Sequence, residues 1–295
     1  MQTKHHIQRL LASEGIQANK HLGQHFLIDL NLMRLLIDSA DINGNDIVLE
    51  VGCGTGSLTE ALAGLAGKVI AVEIDRTLAQ IAERQLADRK NVEIVNTDIL
   101  ERKNIISHTV TSTLNSARKK YSGRVMLVAN LPYNVASPVM LNLITSDTNA
   151  DAMYVTVQKE VSGRMTAAAG SKYYGTLSIF LAVAGEVKTI RTLKPTVFWP
   201  QPKVDSAMVS FIRSEEKICR IRNMKIFIKL VNLFMQHRRK MLKACTKFAC
   251  RELAEINNWL EIFEQCSIDP HNRPEQILPK DYITLANLCC EYLET

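Results

Sequence analysis

Residues 47–56 read Ile-Val-Leu-Glu-Val-Gly-Cys-Gly-Thr-Gly, an apolar run that passes directly into a glycine-rich turn. The apolar run predicts a buried strand, and Leu58 and Leu62 after the turn recur at helical spacing. Glycines between a strand and a helix allow a tight turn and a close approach of the backbone to a ligand. The stretch therefore predicts the first strand, loop and helix of an α/β sheet that binds a ligand at the loop.

The same alternation continues along the chain. Further strand-like runs, separated by helical spacers, lie at residues 69–72, 92–95, 125–129 and 152–157. Continuous apolar strands that alternate with amphipathic helices indicate a parallel sheet covered on both faces. We interpret the polar residues 101–123 as a crossover helix with surface loops, and residues 177–187 and 207–212 as a terminal hairpin. The fold predicted for residues 1–213 is doubly wound α/β, Rossmann-like.

The last part of the chain differs in pattern and in charge. From about residue 214 the strand signal stops and apolar residues recur at helical spacing, which predicts a small all-helical domain over residues 214–295. Residues 217–251 hold eleven Lys or Arg and no Asp or Glu, whereas residues 252–295 hold two basic and nine acidic residues. This segregation favours a face directed at nucleic acid. A solvated helix face is the alternative interpretation.

Composition sets outer limits on the function. A chain of 295 residues with a net charge of +6 is typical of a soluble globular protein. No apolar run reaches the length of a membrane span and the first residues lack a signal-peptide core, so we expect a cytoplasmic protein. The seven cysteines lack any Cys-x-x-Cys or metal-ligand spacing. We therefore expect reduced thiols, and neither disulfides nor a metal site.

Two ligands fit the glycine loop, a dinucleotide and S-adenosylmethionine. The dinucleotide fingerprint is Gly-x-Gly-x-x-Gly, whereas Gly52 and Gly54 here belong to Gly-x-Gly-x-Gly. Glu73 ends the second strand, where a carboxylate can accept from ribose hydroxyls. Asp98 ends the third, where it can accept from the amino group of an adenine. The pattern favours S-adenosylmethionine, and a dinucleotide-dependent oxidoreductase stays as a distant alternative.

The fourth strand ends in Asn-Leu-Pro-Tyr at residues 130–133. An amino group on a base is a poor nucleophile because its lone pair is delocalised into the ring. The Asn130 side-chain oxygen and the Leu131 carbonyl can accept its two hydrogens while Tyr133 stacks on the ring. Taken alone, four such residues are equally typical of a strand end followed by an X-Pro turn.

Together these motifs make the chain similar to a known family. It resembles the ribosomal RNA adenine dimethyltransferases, S-adenosylmethionine enzymes that place two methyl groups on each of two adjacent adenines near the 3′ end of small-subunit ribosomal RNA. The resemblance rests on residues 20–27, 52–56, 73–75, 98–99, 130–133, 197–207, 237–240 and 268–275. It implies that the partner is small-subunit ribosomal RNA, within the subunit or its precursor. We expect a monomer.

The resemblance also implies roles for individual residues. His25 and Leu27 are expected to contact the cofactor from the N-terminal segment, together with the glycine loop. His25 stands where the family usually has Asn, and Ser267 where it often has Gly. Asn130 is expected to serve both the cofactor and the target amine. Phe198 is expected to pack on the face of the target adenine opposite Tyr133.

The basic residues of the last motifs, Lys203, Arg238, Arg239 and Lys240, are expected to contact RNA. The segment around Arg238, which we interpret as a helix, and residues 268–275 favour the small-subunit branch over a large-subunit adenine methyltransferase of the antibiotic-resistance type. A ribosome-assembly factor whose methylation is secondary is a third possibility, because the same basic domain would serve it.

Overall fold

The computed structural model describes residues 1–19, 22–102, 105–146 and 148–294. Lys20 and His21, which begin the N-terminal motif, lie outside these ranges. The strands are β1 Phe26–Leu27, β2 Ile47–Val51, β3 Lys68–Glu73, β4 Val92–Asn96, β5 Leu100–Arg102, β6 Ile105–Ile106, β7 Val125–Asn130, β8 Ala152–Gln158, β9 Gly185–Leu193, β10 Phe198–Trp199 and β11 Ser206–Arg213. The α-helices are α1 Lys4–Ser13, α2 Leu30–Ala40, α3 Ser57–Ala63, α4 Arg76–Gln85, α5 His108–Arg118, α6 Ala136–Thr145, α7 Lys159–Met165, α8 Thr176–Ala184, α9 Glu215–Ile218, α10 Met224–Gln236, α11 Leu242–Cys245, α12 Trp259–Gln265 and α13 Pro279–Glu294.

A seven-stranded sheet forms the centre of the first part of the chain, in the order β4-β3-β2-β7-β8-β11-β9. The first five strands in this order, β4, β3, β2, β7 and β8, run parallel to one another, and β11 pairs with β8 antiparallel. The predicted doubly wound α/β fold is therefore confirmed. Along the chain, β3 and β4 add to one side of β2. The chain then returns to the other side of β2, where β7 and β8 add to the sheet. The switch in strand order lies between β2 and β7, where open α/β sheets bind their ligands.

An ion pair between a buried aspartate and a partly exposed arginine joins the two strands at this switch. The Asp46 carboxylate, fully buried just before β2, accepts from the Arg124 guanidinium at 2.7 Å and from the Arg124 backbone N–H at 2.9 Å. Burial raises the pKa of Asp46, but the hydrogen bonds from Arg124 and from the Asn43 N–H, together with the Arg124 charge, outweigh this and the net pKa is lowered. The pair sets the starts of β2 and β7 side by side, and so aligns the loops at their far ends.

Two predicted elements differ from the structure. Residues 177–187 do not form a strand, because helix α8 occupies most of them and β9 begins only at Gly185. Nearly every α8 side chain is buried, so the segment lacks the polar face that distinguishes a helix from a strand by periodicity. Residues 101–123 do contain the crossover helix α5, but the paired strands β5 and β6 come before it.

The chain divides into two compact units, Met1–Ser162 with Lys188–Ile212, and Gly163–Val187 with Arg213–Thr295. The second unit thus begins near the predicted residue 214 but also includes a segment that the prediction assigned to the first. The reason is the packing of α8, where Phe180 contacts Phe227 edge to face with 5.4 Å between ring centroids. The Tyr174 hydroxyl also donates to the Ile277 carbonyl at 2.8 Å. Among the described residues, no helix is both long and apolar enough to span a membrane.

Candidate active site at the carboxyl edge of the sheet

A pocket opens at the switch point, between the glycine loop after β2 and residues 130–133 after β7. It encloses about 1140 Å³, including its open mouth. Nine of the residues singled out in the sequence line it: His25, Leu27, Gly52, Gly54, Glu73, Asp98, Asn130, Leu131 and Tyr133. The cofactor and amine motifs, which are far apart in the chain, therefore share one cavity.

The glycine loop brings these motifs together because Gly52 and Gly54 leave room for close contacts. Gly52 has φ 77°, and a Cβ there would lie 2.8 Å from Cγ of Pro132. Gly54 has φ 58°, and a Cβ there would lie 2.7 Å from Cε1 of Phe26. Both positions need glycine for the left-handed backbone and for the close contact. The loop thereby packs directly against residues 130–133 and against β1.

Glu73 and Asp98 extend the pocket along the sheet edge. The buried Glu73 carboxylate accepts from the Gly54 N–H at 2.8 Å and from the Asp75 N–H at 3.0 Å. Burial raises the pKa of Glu73, although these two hydrogen bonds oppose the shift. Asp98 is exposed and accepts from the Leu100 N–H at 2.9 Å. Because each carboxylate oxygen has two lone pairs, both groups can still accept from a ligand.

Glu50 is a pocket residue to which the sequence analysis gave no role. Its side chain is buried, and Oε2 has no hydrogen-bond partner among the described residues. Burial, reinforced by the nearby Glu73 charge, raises the pKa of Glu50 to about 8. A buried carboxyl group with one unpartnered oxygen fits a cationic ligand group, and S-adenosylmethionine carries an ammonium and a sulfonium. The sequence signal that could have identified Glu50 is an acidic residue in the middle of an otherwise apolar strand.

Asn130 is held from both sides by neighbouring polar groups. The parallel register places it opposite Thr156 on β8, and the buried Thr156 hydroxyl donates to Asn130 Oδ1. Asn130 Nδ2 donates to the His25 carbonyl at 2.6 Å. The Leu131 N–H donates to the Thr156 carbonyl at 3.2 Å. Asn130 Oδ1 keeps a second lone pair, so the site can present an acceptor in a fixed direction.

Tyr133 is anchored through its hydroxyl group. The hydroxyl shares a 2.7 Å hydrogen bond with Oγ of Ser206, which is fully buried at the start of β11. Burial also raises the pKa of Tyr133. The His25 ring lies beside the Tyr133 ring, with 5.5 Å between centroids and 31° between planes. His25 Nδ1 must donate in its 2.6 Å hydrogen bond with the Pro200 carbonyl, because a carbonyl only accepts.

Phe198 does not reach the pocket. It pairs with Leu27 across β10 and β1, and its side chain is only 1% exposed within the core around Leu27 and Met208. Alternation along β10 turns the next residue the other way, so Trp199 stacks on Phe26 with 6.1 Å between centroids. In this structure Phe198 thus lies in the core and not in the pocket lining, and its expected role as a second aromatic face for the adenine stays a prediction. The aromatic ring that lies beside the Tyr133 ring is that of His25.

The predicted RNA-contacting residues differ in their exposure to solvent and in their ion pairs within the protein. Lys203, Arg239 and Lys240 are exposed. Arg238 is already engaged, since its guanidinium donates to Glu275 Oε2 at 2.7 Å. Helix α10 ends at Gln236, so the segment that begins at Arg238 lies in a turn and not in the predicted helix.

A doubly wound sheet with this loop and an anchored Asn-x-Pro-Tyr element at its switch point defines a Rossmann-like methyltransferase. The family model described as "Ribosomal RNA adenine dimethylase" matches residues 15–278. The chain belongs to this family. Membership confirms the predicted enzyme class, an S-adenosylmethionine-dependent ribosomal RNA adenine dimethyltransferase.

Curated relatives cover almost the whole chain. It is 37% identical over 287 residues to "Ribosomal RNA small subunit methyltransferase A" of Staphylococcus aureus (strain bovine RF122 / ET3-1), spanning 96% of this chain and 93% of that protein. The protein of the same name from Staphylococcus haemolyticus (strain JCSC1435) is 38% identical over 280 residues, spanning 94% and 91%.

Solved structures agree with this fold. A dimethyladenosine transferase from Plasmodium falciparum has a TM-score of 0.68 at 25% identity, covering 87% of this chain and 94% of that one. The 23S rRNA methyltransferase ErmE has a TM-score of 0.60 at 20% identity, covering 92% and 100%, and shares the fold.

Proposed function

We propose that this chain dimethylates the N6 amino groups of two adjacent adenines near the 3′ end of small-subunit ribosomal RNA, within the subunit or its precursor. The observation that carries the proposal is the anchored amine site, in which Thr156 and the His25 carbonyl hold Asn130 beside the glycine loop. The choice of the small subunit is supported by relatives that bear that name and span more than 90% of this chain.

The cofactor would be held along the edge of the sheet. Gly52 and Gly54 let the backbone approach it, Glu73 accepts from its ribose, and Asp98 accepts from its adenine. Glu50 faces its positive charge, and His25 and Leu27 close the pocket from the N-terminal side. S-adenosylmethionine, when bound, supplies a methyl group activated by a sulfonium.

The chain itself contributes orientation. Asn130 Oδ1 and the Leu131 carbonyl accept the two hydrogens of the target amine and direct its lone pair, while Tyr133 stacks on the base. No general base is needed before attack, because the amine becomes acidic only after it has gained a methyl group. Ser206 and Thr156 act as positioning residues, since each holds a residue that is assigned to the base, Tyr133 and Asn130 respectively.

Recognition of the subunit is assigned to exposed basic residues. Lys203, Arg239 and Lys240 would contact phosphates, whereas Arg238 would contribute mainly by fixing this turn through Glu275. We further propose that the protein works in the cytoplasm as a monomer. Mass measurement in solution at working concentration tests the monomer, and a stable dimer would refute it.

The experiment that tests the function uses labelled S-adenosylmethionine with unmodified small and large ribosomal subunits in separate reactions. Mass mapping of the labelled nucleosides should find dimethyladenosine at two adjacent positions near the 3′ end of the small-subunit RNA. Label confined to the large subunit would overturn the proposal in favour of the antibiotic-resistance type. Rescue of every growth defect of a deletion strain by an inactive Asn130→Ala protein would favour an assembly factor.

A further inference from the structure

An aromatic ring is exposed within the acid-free stretch of the second unit. Phe248 ends the short 3-10 turn Thr246–Phe248, and its side chain is 46% exposed. The His237 ring stacks on it, with 4.0 Å between centroids and 21° between planes. Lys240 Nζ lies 5.5 Å from the centre of the same ring. We call His237, Lys240 and Phe248 the Phe248 platform.

The backbone holds this platform in place. Helix α10 ends just before His237, and the turn that follows is closed by the Lys240 N–H, which donates to the His237 carbonyl at 2.8 Å. Cys245, at the end of α11, is fully buried, and its thiol lies 3.6 Å from the same carbonyl. The ring of Phe248 and the cation of Lys240 are thus presented from two neighbouring turns that share one buried anchor.

The chemistry of the platform fits an unpaired nucleotide. Bases of single-stranded nucleic acid stack on exposed aromatic rings while nearby cations meet the phosphates. Arg239, Lys243 and Lys247 are also exposed here, and no acid occurs in residues 217–251. A duplex offers phosphates but no open base face, so it would contact the cations without stacking a base on Phe248.

We propose that the Phe248 platform stacks an unpaired base of the RNA substrate, with Lys240 moving onto the adjacent phosphate. The proposal rests on the proposed function for its substrate class. It adds a second recognition point, in the helical unit, for a nucleotide that is not the methylated adenine.

Binding to two RNA probes tests this directly. The first is a hairpin with an all-pyrimidine loop that carries one fluorescent pyrrolocytidine, so that the adenine pocket does not compete for the loop. The second is a fully paired duplex of equal charge. Phe248→Ala should weaken hairpin binding about tenfold and abolish the loop fluorescence change, while duplex binding changes less than twofold. Phe248→Trp should keep hairpin binding, because the indole preserves the stacking face.

Matched variants separate stacking from charge and from exposed apolar area. Met241 is equally exposed at 46%, so Met241→Ala is the control and should leave binding to both probes unchanged. Lys240→Gln should reduce the slope of log affinity against log salt by about 1, whereas Phe248→Ala should leave that slope as it is. Thermal unfolding and S-adenosylmethionine binding of Phe248→Ala should match the parent protein.

Several results would overturn the proposal: an equal loss on both probes, no loss on the hairpin, the same loss with Met241→Ala, or failure of Phe248→Trp. The hairpin contains no target adenine, and so these results are independent of which subunit is methylated. If mass mapping fails for the small subunit while the hairpin results hold, the proposed function is wrong and the platform stands.

Discussion

Binding of S-adenosylmethionine should release a proton from Glu50. In the free protein the pKa of Glu50 is raised to about 8 by burial, so about nine in ten molecules are protonated there at pH 7. A cation placed beside a carboxylate lowers its pKa by about 1 to 3 units. A fall of about 2 units would leave about one molecule in ten protonated, so about 0.8 proton is released per cofactor bound.

Isothermal titration calorimetry at pH 7, in buffers that differ in ionisation enthalpy, measures this number as a slope. Glu50→Gln keeps the shape of the side chain but cannot ionise, so its slope should fall by about 0.8 relative to the parent protein. S-adenosylhomocysteine, which lacks the sulfonium charge, shows which of the two cationic groups faces Glu50. Equal slopes for the parent and the Glu50→Gln variant would refute the reasoning.

The remaining predictions concern the anchors of the site and the stability of the sheet. The sign of the Glu50 shift means that the folded protein holds this proton more tightly than the unfolded chain. Thermal melts of the free protein should therefore show stability falling as pH rises from about 4.5 to 8, with a flatter profile for Glu50→Gln. Thr156→Val should lower the single-turnover methylation rate about tenfold or more, while the affinities for RNA and S-adenosylmethionine are retained. Thr156→Ser keeps the hydroxyl group and should therefore keep the rate of the parent protein. A purely structural role of Thr156 would not predict this difference between the two variants. Asp46→Asn should lower the free energy of unfolding by about 2 kcal/mol at pH 7. This loss is smaller than that for a fully buried ion pair, because Arg124 is partly exposed. Because the pKa of Asp46 is lowered in the folded state, that difference should shrink as pH falls below about 4 in denaturant titrations.

The sheet and its ligand edge were predictable from local patterns. Parallel strands buried on both faces read as continuous apolar runs, so the runs at residues 47–51 and 125–129 appear where the structure has β2 and β7. Carboxyl ends of parallel strands meet at one edge, which brings Gly52, Glu73 and Asn130 together without any knowledge of side-chain contacts.

Other features depend on long-range contacts that local sequence patterns do not predict. Helix α8 is buried on nearly all sides, so its residues lack the periodicity of a helix. The anchoring of Asn130 by Thr156 depends on strand register, and the burial of Phe198 depends on which face of β10 turns inward. The pairing of Arg238 with Glu275 joins residues far apart in the chain. In each case a long-range contact decides the role of the side chain.

The central claim is that Asn130 orients the target amine. Single-turnover methylation of unmodified small subunits by Asn130→Ala measures this most directly, with S-adenosylmethionine and subunit affinities determined on the same preparation. We predict a fall in the methyl-transfer rate of about a hundredfold or more, with both affinities within about threefold of the parent protein. An unchanged rate, or a loss of rate explained entirely by lost affinity for the subunit or the cofactor, would contradict it.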